Sequence, residues 1–132
     1  MPFGLITFQE ELRIFTRVRD FYRRLYPKIT FSEEERMLQH SDIGEVLYTY
    51  AGDETQPLAA DRHAELEKYI SRSHVPAIIL KKGKTLILLD GHRRLRFAWR
   101  NRIPWKALML VPGKGRKFAI EETVMGRIAD MY

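Results

Sequence analysis

The chain has 132 residues and a mass of 15.6 kDa, a length that suits one hydrophobic core and leaves little room for two. With 45% hydrophobic and 30% charged residues its composition is that of a globular protein, and the absence of cysteine excludes disulfides, thiolate metal sites and thiol nucleophiles. The net charge of +6 is unevenly placed: residues 1–67 carry 8 Lys and Arg against 13 Asp and Glu, whereas residues 68–132 carry 15 against 4, a surplus that gathers phosphate groups.

No uncharged apolar run approaches the roughly 20 residues a membrane span requires, so no membrane partner is expected. The first residues lack a basic segment and soon reach Glu10 and Glu11, so no secretory signal is expected either and the expected location is cytoplasmic.

Thr7 and Glu10 fit a capping box, and Phe8, Leu12, Phe15, Val18, Tyr22 and Leu25 recur at helical spacing until Pro27. The pattern predicts an amphipathic helix of about 18–20 residues whose aromatic stripe faces the core or a subunit interface. Ser32 and Glu35 form a second box, predicting a short helix through Met37 and Leu38 with the acidic residues 33–35 in a solvated first turn. A third helix is expected around residues 42–50. Gly52, Asp53 and Pro57 then mark a boundary. It divides the chain into a helical N-terminal region, residues 1–50, and a domain of residues 51–132, together one compact unit.

Beyond the boundary the pattern alternates. A helix is expected over residues 60–71, a strand over 76–80, a basic turn over 81–84 and an apolar strand over 85–89. A helix over 92–101, a strand over 105–111 and a final helix over 120–132 follow. The expected fold class is α+β, a small mixed sheet with packed helices, preceded by the helical N-terminal region.

Chemistry concentrates between Lys81 and Lys106, where nine basic residues face Asp90 as the one acid. An apolar strand ends in Asp90-Gly91, and a helix opens with His92, Arg93 and Arg94. Gly91 permits a backbone conformation or close approach that a Cβ forbids. Helix amides, the positive end of the helix dipole and two arginine forks would converge there on one anion, the oxygens of a phosphate. Asp90 suits either a helix cap or a Mg²⁺ that bridges phosphate oxygens. His92 could titrate near neutrality and contact phosphate or substrate. Phe97, Trp99 and Trp105 interleave with bases, which suits either a core stripe or a stacking surface for single-stranded nucleic acid. His40, His63 and His74 show no metal-ligand spacing.

Residues 54–112 resemble the ParB/sulfiredoxin superfamily. The resemblance lies in the helix before Val75-Pro76-Ala77-Ile78-Ile79-Leu80, the basic turn, and the strand that leads into Gly91-His92-Arg93-Arg94. ParB-type domains carry Gly-Glu-Arg-Arg there and bind nucleotide phosphates with it. Sulfiredoxin carries Gly-Cys-His-Arg, and a chain without cysteine excludes its chemistry. Archaeal free-serine kinases of the superfamily carry Asp-Gly-His-His-Arg, similar to Asp90-Gly91-His92-Arg93-Arg94. The resemblance implies nucleotide binding, ATP or another nucleotide with Mg²⁺, by Gly91, His92, Arg93 and Arg94. It also implies Glu54 as a base toward a hydroxyl, beside Asp90 and His92 as the other candidate catalytic residues.

The expected function is therefore nucleotide phosphate binding, extending to phosphotransfer or nucleotide hydrolysis. The alternative is a nucleic-acid-binding module without catalysis. Twenty residues follow Pro112, little room for the helix-turn-helix with which ParB-type proteins read DNA, so that binding is expected to be non-specific. Pairing of the acidic helices with the basic half of a second copy leaves a homo-oligomer open.

Overall fold

A computed structural model describes residues 7–50, 68–114 and 116–132. Helix α1 (Phe8–Leu25) begins where the sequence places it, because Thr7 Oγ1 accepts the Glu10 amide at 3.1 Å. Its inward face is centred on Glu11, Phe15 and Tyr22. Phe8, Leu12 and Leu25, expected on the buried stripe, stand partly in solvent.

Residues 31–38 form a strand, β1 (Phe31–Leu38), and not the expected helix. All eight residues pair antiparallel with β5 (Trp105–Pro112), from Phe31 opposite Pro112 to Leu38 opposite Trp105. Strand alternation sends Glu33 and Glu35 to one face and Glu34 to the other. There each carboxylate meets a base: Arg19 at 3.3 Å, Lys106 at 3.0 Å and Lys81 at 2.9 Å respectively. An inter-strand ladder and three ion pairs replace a solvated helix turn, and charged residues on an edge strand also oppose edge-to-edge aggregation.

Helix α2 (His40–Glu45) and strand β2 (Leu47–Thr49) follow, so the helix expected around residues 42–50 gives way to a strand halfway. The helix expected over 60–71 falls mostly outside the described residues; residues 68–73 are helical, α3. Strand β3 (Ala77–Lys82), strand β4 (Thr85–Asp90), helix α4 (His92–Arg100) and β5 lie where hydrophobic periodicity puts them.

The single C-terminal helix expected over 120–132 is instead a 3-10 turn (Ala119–Thr123), strand β6 (Val124–Arg127) and a short helix α5 (Ile128–Met131). Two features break the helix. Gly126 has φ +146°, outside any helical region. Glu121 accepts the Phe118 amide at 2.6 Å and Lys82 Nζ at 3.0 Å, tying the 3-10 turn to β3.

Among the described residues six strands form one mixed sheet in the order β1-β5-β3-β4-β2-β6. β3 and β5 are parallel, as are β2 and β4, and the remaining neighbours are antiparallel. Residues 31–49, expected in a helical region, therefore supply two strands to the same sheet as the rest of the chain. On one face Ala77, Ile79, Leu88 and Met109 pack with Leu95 and Ala98 of α4. On the other Ile78, Leu80, Ile87 and Leu110 pack with Phe15 and Tyr22 of α1 and with Phe118.

Phe118 is 1% exposed and its ring lies 4.8 Å from Tyr26 and 5.9 Å from Tyr22, both edge-on. Phe118→Ala is expected to cost about 3–5 kcal/mol of stability, as for aromatic truncation in a packed core. Urea unfolding measures it, and a loss below roughly 1 kcal/mol would place the 3-10 turn outside the core.

Candidate functional site

Strand β4 hands the chain to α4 through Gly91, the residue at the N-cap, with φ 102° and ψ 33°. A side chain there would be strained in conformation and crowded in space: an added Cβ would stand 3.1 Å from Ala77 Cβ and 3.2 Å from Ala77 Cα. The turn thus presses against the start of β3. No acidic residue lies in the first turn of α4, which opens with His92, Arg93 and Arg94.

Arg94 turns inward. Its Nη1 donates to Glu11 Oε2 at 2.5 Å and to the Pro76 carbonyl at 2.7 Å, and its Nη2 reaches Asp90 Oδ2 at 3.4 Å. The residue is 8% exposed. The fork expected on a phosphate is held by the protein itself, because a buried guanidinium requires partners and α1 supplies a buried carboxyl within reach. The Asp90 carboxylate faces Arg94.

Glu11 is fully buried. Burial pushes its carboxyl up to about 8, Asp90 beside it adds to the rise, and Arg94 opposes it. Glu11 Oε1 accepts from no donor, and Asp90 is the hydrogen-bond neighbour that raises the Glu11 pKa. A carboxyl raised that far keeps its proton at neutral pH and leaves the Asp90 carboxylate as the charge beside one guanidinium. The sequence reading did not single out Glu11, which entered only as an acidic residue near the start of the chain. Its spacing of four residues before Phe15, on the inward face, was the signal.

His92 also faces inward, 2% exposed, with its ring edge-on to Tyr48 at 4.8 Å. Its Nε2 lies 3.1 Å from Thr49 Oγ1, whose hydroxyl donates to the Leu88 carbonyl at 2.8 Å. With the threonine proton directed at Leu88, the Thr49 oxygen accepts from His92, which assigns the hydrogen to Nε2. The imidazole joins α4 to β2, in place of the expected contact with a ligand.

Arg93 is half-buried at the turn. Arg96 is 8% exposed and lies 5.3 Å over the Tyr132 ring. The aromatic residues weighed as a stacking surface are packed: Trp105 Nε1 donates to the Val75 carbonyl at 2.8 Å, Phe97 is 8% exposed, and Trp99 stacks on His40 at 4.1 Å. Glu54 and His63 lie outside the described residues. Among the described residues no three His, Asp or Glu side chains are grouped to hold a metal ion. Asp90 already faces a guanidinium, which disfavours a cation, so these residues do not fit the expected Mg²⁺. Among the described residues no helix is long and apolar enough to cross a membrane.

Comparisons with protein-family models, curated proteins and solved structures found no match.

The raised Glu11 pKa sets a pH dependence. The folded state holds this proton more tightly than the unfolded chain, so the contribution is full below about pH 4.5 and is lost as pH rises through about 8. Glu11→Gln has no such proton. Wild-type urea midpoints are expected to fall across that window more steeply than those of the variant, and parallel slopes would contradict the assignment.

Proposed function

We propose that the chain binds nucleotide phosphates at the turn between β4 and α4, on a ParB/sulfiredoxin-like frame. Gly91, the backbone at the start of α4 and Arg93 are the contacts, and Arg94 holds the turn in shape from inside. The supporting observation is a helix that opens from a left-handed glycine at a strand end, with no acidic residue in its first turn. Such a start presents the positive end of a helix dipole to an anion. Of the nine bases between Lys81 and Lys106, Lys81, Lys82, Arg94 and Lys106 are ion-paired within the fold, and the exposed Lys84, Arg100 and Arg102 add a field of the same sign.

The reading assigns binding and routes no chemical step through Mg²⁺. Nucleotide affinity is accordingly expected to persist in chelator. ATP and ADP should bind wild type and compete with inorganic pyrophosphate, whereas adenosine alone should not bind. Arg93→Ala should weaken binding roughly tenfold or more, since a charge-assisted hydrogen bond contributes about 1.5–3 kcal/mol. Titration of a fluorescent nucleotide measures both, and equal affinity in wild type and variant would refute the proposal.

A further inference from the structure

Helix α1 covers only part of its sheet face. Beside it runs an open groove of about 700 Å³ with Ile14, Val18, Phe21, Leu89 and Ile120 in its lining. A second hollow of about 320 Å³, which shares Phe21, Tyr22 and Ile120, continues it past Leu25. Phe21 and Leu25 are 49% and 52% exposed, large apolar side chains left in water.

The spacing along this flank is specific. Ile14, Val18, Phe21 and Leu25 follow one another at intervals of four, three and four residues, the alternation of the a and d positions in a coiled-coil seam. In that register Arg17 and Arg24 both occupy the g position beside the seam. They stand seven residues apart, which is about 10 Å along a helix. Both are exposed, and neither has an ion-pair partner among the described residues. Asp20, on the same wall, is engaged by Arg19 at 3.2 Å.

We infer that this groove docks an amphipathic helix of a partner protein, apolar at its own a and d positions and carrying Asp or Glu seven residues apart along its flank. The groove is open along its side, so an occupant that brings its own solvated face closes it better than a small molecule can. The two arginines select the charge. A second copy of this chain offering α1 antiparallel would set Arg17 and Arg24 against their own counterparts, a like-charge pairing that coiled coils avoid. The inference does not rest on the nucleotide reading, since neither Gly91 nor Arg93 lines the groove.

The probes are two synthetic heptad peptides with the same Leu seam, one flanked by Glu and one by Lys, titrated into the full chain. The Glu peptide should bind wild type and lose at least tenfold in affinity to the Arg17→Glu/Arg24→Glu double variant. The Lys peptide should prefer that variant over wild type. Both substitutions are at exposed positions, and an unchanged urea midpoint confirms folding. Three outcomes overturn the inference: neither peptide binds, both bind wild type alike, or the chain sediments as a dimer that Phe21→Ser dissociates, which would make a second copy the occupant.

Discussion

A guanidinium buried at the end of the sheet governs how the layers of this protein meet. Arg94 belongs to α4 on one face, Glu11 to α1 on the other, and the Pro76 carbonyl and Asp90 lie on the strand ends between them. A charge so enclosed is tolerated only when its donors are satisfied and its counter-charge is balanced. Glu11 and Asp90 together offer two carboxyls to one guanidinium, and burial resolves the excess by raising Glu11 until it keeps its proton. Gly91 fits the same constraint, because its positive φ would strain any side chain and the turn approaches Ala77 closely enough to crowd a Cβ.

The charge asymmetry of the chain has its explanation in the same pairing. An acidic N-terminal half and a basic C-terminal half suggest two molecules, or a protein and a polyanion. Much of the acid is instead matched within the fold. Glu11 faces Arg94, Glu34 faces Lys81, Glu35 faces Lys106 and Glu45 faces Arg127. The exposed pairs contribute little individually to stability. Among them Glu35–Lys106 joins the neighbouring strands β1 and β5 and so favours the observed register over alternatives.

What could be read from the sequence was local. The segment from Ala77 to Pro112 alternates apolar strands with an amphipathic helix, and each element carries its own period, so strands, helix and Gly91 turn were all legible. Residues 31–38 were not, because Ser32 and three glutamates imitate a helix start while their ladder partner lies more than 70 residues further on. The tail failed for a similar reason: Glu121 reads as a helix first turn, and only the distant Lys82 shows that it anchors a 3-10 turn. At the candidate site Gly91 kept its expected place. Arg94 did not, because an arginine next to a glycine turn looks the same in sequence whether it faces a phosphate or a buried glutamic acid from another layer.

Moving Arg94 from ligand contact to internal strut leaves Gly91 and Arg93 to carry the nucleotide reading and makes the integrity of the turn depend on α1. A double-mutant cycle with Glu11→Leu and Arg94→Met, followed by urea unfolding at neutral pH, measures that dependence. Each single variant should be destabilised, and the double variant should be destabilised by less than their sum, with a coupling of roughly 1–3 kcal/mol. Additive losses would show that the two side chains do not act on each other and would contradict the account.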